Sequence, residues 1–318
     1  MSVTIPSVAE LDKSARQFRK DILKMPVHAL SETIQHMTPR FGIRYSQVVG
    51  EMSGSMQFGP YDADREDNSG ITITPRELNT YLGSVVKNFD PNTVYQSIYG
   101  SAVTKGEALT QTDITRQIVE FLAAQMGANI NLHIWDAKRN ASGDETKDLN
   151  DGFDTITAAE VTAGKMSAAL GNYVELTEAI TNNNAVDTLK AIYRGASDLL
   201  QSQKTKMFIS RNIYNAYLDD YQTTNGALPY NTEFKKTFLE GSDGLCELVP
   251  LSNKKDSDYI HLTTQGNMLV GFNQTGEEEE ILIEKHKALK LQFVATMFFG
   301  VQFESISPER LFVAKLSA

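Results

Sequence analysis

The chain has 318 residues, 41% hydrophobic and 22% charged, a profile that supports one large or two ordinary domains. Its formal net charge of −10 and pI near 5.1 argue against a sequence-general nucleic-acid binder, because neutralising phosphates takes clustered Lys and Arg. A single cysteine, Cys246, excludes an internal disulfide framework, the opening residues lack the apolar core of a signal peptide, and the longest apolar run, Phe293 to Phe303, is too short to cross a bilayer.

The charge is uneven. Residues 1–44 hold seven basic and four acidic side chains, so this stretch is +3 and the remainder −13. Ser7 with Glu10 makes a capping-box pattern, Leu11, Ala15, Phe18 and Ile22 follow at helical spacing, and Pro26 ends the run. A second short helix is predicted through Leu30, Ile34 and Met37, stopping at Pro39. Two amphipathic pieces before any core read as an arm that packs on something else. From Tyr45 to Pro75, Val48, Val49, Met52, Met56 and Phe58 are scattered among Ser and Gly; a polar tip follows, and Ile71-Thr72-Ile73-Thr74 alternates as a strand. This predicts a long two-stranded ribbon, and a ribbon with so few large apolar residues needs a surface from outside itself.

Leu82 to Phe89 reads as a strand, and Asp90-Pro91 as the start of a helix with Val94 and Ile98 inward. The longest helix is predicted over residues 110–139, opening on Thr110 with Asp113 in the first turn and closing on Lys138 and Arg139. Ile114, Ile118, Phe121, Leu122 and Leu132 make one apolar flank, and Val119, Met126, Ile130 and Ile134 a second, so both sides call for cover. Asn140 to Gly152 is a polar crossing, and Thr157 with Glu160 is read as the cap of a further helix. Asn184 starts a helix whose apolar face carries Val186, Leu189, Ile192, Tyr193, Ala196, Leu199 and Leu200. Lys206–Ile209 is a buried strand, Ser210 caps a helix with Tyr214, Tyr217, Leu218 and Tyr221, and Asn225-Gly226 turns the chain. Strands follow at Cys246–Leu251, Met268–Phe272, Ile281–Glu284, Leu289–Phe303 (two, or one bent at Gly300) and Leu311–Leu316. The fold class is therefore α+β.

No catalytic, metal or cofactor site emerges. The histidines, His28, His36, His133, His261 and His286, have no metal-ligand spacing among themselves or with Cys246. Gly164-Lys165 lacks the first glycine of a phosphate loop, and Met166 stands where the Ser/Thr magnesium ligand belongs. Asp62, Asp64, Glu66 and Asp67 are dense in carboxylates, but Asp67 occupies the position of the EF-hand glycine, which favours a solvated loop tip. Glu277–Glu280 reads as a solvated edge, and no Ser, Cys or Lys has the setting of a nucleophile.

The order of elements, with the run from Asn184 to Ala318 (VDTLKAIYRGASDLLQ, KMFISRNIYNAYLDDYQTTNG, LPY, TFLEG, CELVPL, GNMLVGF, FVATMFFGVQFESISPERLFV), resembles the major capsid proteins of tailed bacteriophages with the Hong-Kong-97-type fold. The resemblance implies an N-terminal arm over 1–43, an extended β-hairpin loop over 44–80, a peripheral domain over 81–175 and 285–318 whose spine helix is 110–139, and an axial domain over 176–284. It implies self-assembly into hexamers and pentamers of an icosahedral head shell in the virion, built in the host bacterial cytoplasm. Its partners would be other copies of itself, a separate scaffolding protein (the short arm leaves no room for a fused one), portal and decoration proteins, and double-stranded DNA held by weak non-specific contact. The membrane has no part. Inter-subunit contacts are expected at Met56, Phe58, Tyr61, Asp64, Arg65, Glu66 and Ile73 of the loop. Family members that cross-link covalently use a loop lysine; here lysines stop at Lys24 and resume at Lys87, so no cross-link is expected. The same fold serves cellular nanocompartments of the encapsulin kind, the alternative reading, and an enzyme or binding module with an unreadable site is a third.

Overall fold

A computed structural model describes residues 31–54, 59–61, 70–89, 111–225, 237–273, 281–287 and 290–317. The first elements are α1 (Ser31–Ile34), β1 (Thr38–Phe41), β2 (Ser46–Gly54), β3 (Ile71–Asn79), β4 (Tyr81–Phe89) and α2 (Gln111–His133). Then come α3 (Phe153–Thr162), β5 (Tyr173–Glu175), α4 (Ala185–Gly195), α5 (Asp198–Gln201), β6 (Thr205–Ser210), α6 (Arg211–Asn225) and β7 (Thr237–Phe238). The chain finishes with β8 (Cys246–Leu251), β9 (Tyr259–Thr264), β10 (Met268–Asn273), β11 (Ile281–Lys287), β12 (Lys290–Phe303) and β13 (Leu311–Lys315). It forms two compact units, one of Met1–Tyr45, Thr80–Gly152 and Val270–Gly300, the other of Ser46–Asn79, Phe153–Leu269 and Val301–Ala318. The mixture of helix and strand is α+β.

The first unit is organised on β12. That strand lies in a five-stranded sheet of order β1-β10-β12-β11, with β4 also paired to β12 from Leu291↔Phe89 to Phe299↔Tyr81. Burial alternates from Leu291 to Met297 and is then continuous to Val301, so one face is covered along the first part and both along the second. Tyr45 meets Phe298 edge-on at 5.3 Å, and Phe272 meets Phe299 at 5.5 Å. β12 is one unbroken strand rather than two.

Helix α2 is shorter than the sequence predicts, ending at His133 instead of 139. Beyond it the backbone is captured by partners outside the helix: Lys138 N–H donates to Lys147 C=O, and Gly152 N–H donates to Ala137 C=O. A Cβ on Gly152 would stand 2.3 Å from the Trp135 carbonyl oxygen, so this closure requires glycine. Arg139, expected to complement the helix end, lies over the Tyr81 ring at 3.6 Å and donates to Leu149 C=O. Only one side of the described part of α2 is covered: Ala123 and Ile130 are buried, whereas Phe121 and Leu132 are 62% and 54% exposed.

The second unit is built on a six-stranded sheet of order β5-β13-β9-β6-β8-β7. Alternation sets its two faces. Met207 and Ile209 of β6 join Leu248, Ile260, Leu262, Phe312 and Ala314 in a core with Val186, Leu189, Ile192 and Tyr193 of α4 and Ile213 and Tyr217 of α6. Ser210 Oγ accepts from Ile213 N–H at 3.3 Å, as a cap of α6 should.

Several sequence expectations are corrected. The second short helix ends at Ile34 instead of running through Met37, and the chain turns and enters β1 at Thr38, an edge strand that accommodates Pro39. Thr157 does not open a helix: α3 starts at Phe153, and the buried Thr157 hydroxyl bonds Phe153 C=O and the His261 ring. Helix α4 stops at Gly195, Ser197 caps the separate α5, and Leu199 is left exposed. Strand β9 was unforeseen although it lies inside the sheet, since YIHLTT carries too many polar residues for a clear signal. The helices expected in residues 7–26 and after Asp90, and the turn at Asn225-Gly226, lie outside the described residues or run into them.

Candidate functional site: a ribbon with two unlike faces

Strands β2 and β3 pair with each other antiparallel from Ser46↔Asn79 to Gly54↔Ile71. Directly opposed residues of such a pair point to the same side. One face therefore carries Gln47/Leu78, Val49/Arg76, Glu51/Thr74 and Ser53/Thr72, and the other Val48/Glu77, Gly50/Pro75, Met52/Ile73 and Gly54/Ile71. Gly50 is required at the middle of the ladder: its φ is +154°, and a Cβ there would lie 2.4 Å from Thr74 C=O.

The first face is tied down. Leu78 is fully buried. Arg76 donates from Nε to Phe303 C=O at 3.0 Å and from Nη2 to Gln302 Oε1 at 2.9 Å, and pairs with the Glu160 carboxylate at 2.8 Å. Gln302 answers by donating to Glu77 C=O at 3.1 Å. Farther along, Ser305 donates to the Glu51 carboxylate, whose other oxygen lies 4.0 Å from Arg310 Nε.

The second face is largely apolar and exposed. Val48 is 70% exposed, Met52 68%, Ile71 73% and Ile73 63%, four aliphatic side chains on one side of two paired strands. A lone exposed aliphatic residue is ordinary, but a row of them on one side of a ribbon is a contiguous apolar surface of an uncommon kind. Of the contact residues expected from sequence, Ile73 lies on this face and Tyr61 is 95% exposed, while Met56, Phe58, Asp64, Arg65 and Glu66 lie outside the described residues. Val48, Met52 and Ile71 belong with Ile73 but were not named as contacts. Their signal was the period-two spacing Val48-x-Gly50-x-Met52 and Ile71-x-Ile73.

The second unit also holds a buried polar cluster that sequence reasoning missed. Lys254 Nζ lies 3.3 Å from Asp154 Oδ1, 2.7 Å from Ser257 Oγ and 3.3 Å from His261 Nδ1; on its far side His261 Nε2 meets Thr157 Oγ1 at 3.0 Å. Burial pushes the Lys254 ammonium down to about 8, and it raises the Asp154 carboxyl in spite of the adjacent lysine. Burial, helped by Lys254, holds His261 well below the usual histidine range, so it is neutral. A lysine in the run SNKKDSD reads as a solvated side chain, and only the tertiary structure places it inside. Lys254 and His261 are fully buried, and the groups satisfy one another, an arrangement that fixes α3 against β9. Among the described residues no group of three His, Cys, Asp or Glu side chains could hold a metal ion, and no helix is long and apolar enough to cross a membrane.

No protein-family model and no curated protein matches this sequence. Solved structures share its fold. A chain of the capsid of the native GTA particle aligns with a TM-score of 0.61 at 12% identity, over 91% of this chain and 91% of that one. A chain of the satellite phage P4 procapsid aligns at 0.57 and 10% identity, over 91% of this chain and 97% of that one. The encapsulin of Synechococcus elongatus aligns at 0.50 and 11% identity, over 99% and 91%. Identities this low speak for architecture alone, and over nine tenths of its length this chain has the fold of the proteins that build phage-type capsid shells.

Proposed function

We propose that this chain is a major capsid protein that assembles into hexamers and pentamers of an icosahedral head shell enclosing phage DNA. The observation that carries the reading is the ribbon's bare aliphatic face, Val48, Met52, Ile71 and Ile73, in a chain with a capsid-shell fold. Covering one large aliphatic side chain fully contributes ~1.5–3 kcal/mol, so a neighbour lying on this face gains a substantial contact from each copy. A closed lattice offers that neighbour to every subunit. In this reading residues 1–43 form the arm, 44–80 the extended loop, 81–175 and 285–318 the peripheral domain with α2 as its spine, and 176–284 the axial domain. The loop contacts are Met56, Phe58, Tyr61, Asp64, Arg65, Glu66 and Ile73, together with Val48, Met52 and Ile71. The role is structural and not enzymatic. The partners are other copies of the chain, a separate scaffolding protein, portal and decoration proteins, and weakly held DNA, and the place is the virion.

Electron microscopy and sedimentation of the protein, alone and with the products of neighbouring genes, test the reading: closed shells are expected, and a monomer under every condition contradicts it. The fold likeness to an encapsulin supports a second reading, a cellular nanocompartment; packaged DNA in the particles favours the first and a protein cargo the second. With no lysine between Lys24 and Lys87, boiling particles in detergent should give one band near 35.3 kDa. A ladder of covalent multimers would overturn the expectation of a non-covalent shell.

A further inference from the structure

The inward face of the ribbon is not evenly attached. At its root Leu78 is buried, and at the next pair on that face Arg76 reaches three groups on two elements: Glu160 of α3, and Gln302 and Phe303 at the end of β12. One pair farther out Glu51 is held by Ser305 and lies near Arg310. At the last pair but one, Ser53/Thr72, the bond given by Ser53 goes to Thr72 C=O, within the ribbon itself. Attachment is thus concentrated at Arg76, whose side chain is only 8% exposed, and fades toward the tip.

A guanidinium suits this position for a geometric reason. Its donors lie in one rigid plane, so bonding a backbone carbonyl, an amide oxygen and a carboxylate at once fixes the orientation of the strand that carries it, where the point charge of lysine would swivel. We infer that Arg76 is a positioning residue that sets the direction of the ribbon on the free subunit, before any second copy reaches the Val48/Met52/Ile71/Ile73 face. An element ordered in advance loses less conformational freedom on association, so the same apolar contact yields tighter assembly. The inference concerns one chain alone and stands whether or not the proposed shell forms.

Amide hydrogen exchange on the unassembled full-length chain tests it. In Arg76→Met, which keeps much of the alkyl stem and removes the fork, the ladder amides between Ser46 and Asn79 should exchange about tenfold faster, the scale of losing charge-assisted hydrogen bonds. Amides of β6 and β9 should keep their wild-type rates. Arg76→Lys should fall between the two, because it retains the charge beside Glu160 without the planar fork. Wild-type exchange throughout the ribbon of Arg76→Met overturns the inference. If Arg76→Met instead loosens β6 and β9 as well, Gln302→Ala decides by the same reading: faster exchange confined to the ribbon supports the inference, and wild-type rates overturn it.

Discussion

The ribbon and the six-stranded sheet follow the same two-residue alternation and put it to opposite uses. In β6 successive side chains enter two covered faces, so Met207, Phe208 and Ile209 are all fully buried within one chain. In β2 and β3 one face is clamped by Arg76 and Glu51, and the other carries Val48, Met52, Ile71 and Ile73 into solvent. The sheet completes its burial by folding. The ribbon completes only half of its own, and in the proposed shell the other half comes from a neighbour. Stability and assembly should therefore respond to different residues.

The largest expected effect lies in the sheet. Phe208→Ala should cost roughly 3–5 kcal/mol of folding free energy, measured by denaturant unfolding, because it empties a fully buried site. A loss below about 1 kcal/mol would mean that β6 is not the rigid centre described here.

A smaller effect comes from pH. Since His261 is held neutral in the fold, the unfolded chain takes up its proton first, so the contribution of this residue to stability should fall as pH drops below about 6.5. Asp154, raised by burial, acts in the opposite sense, gaining stability as pH falls toward its unfolded value. Lys254, lowered to about 8, disfavours the fold most below that pH, and stability should recover between about 8 and 10.4. His261→Gln should flatten the slope below pH 6.5; an unchanged slope would assign the acid sensitivity elsewhere.

The smallest effect on folding belongs to the ribbon. Met52→Ser and Ile73→Ser should change the unfolding free energy of the free subunit by no more than about 0.5 kcal/mol, since both side chains are already exposed. The same substitutions should abolish or strongly slow particle formation, followed by light scattering. Normal assembly of the double variant would remove the ribbon's bare face from the interface.

The sequence by itself determined the ribbon, the α+β class, the apolar faces of α4 and α6, and most strands of the second half, because each is written in local periodicity. It also singled out Ile73 and Tyr61, both of which the structure leaves exposed. Tertiary structure decided what periodicity cannot carry. Pairing register placed Val48, Met52 and Ile71 on one face with Ile73, and long-range partners ended α2 at His133 through Lys147 and Gly152. Lys254 and His261 entered the core only because Asp154 and Thr157, about a hundred residues away in the chain, stand ready to satisfy them. Arg76, an ordinary charged residue in ITITPRELN, became an anchor because α3 and the end of β12 bring acceptors to its Nε and Nη2 donors. Such groupings depend on contacts between residues far apart in sequence, and no local window contains both partners.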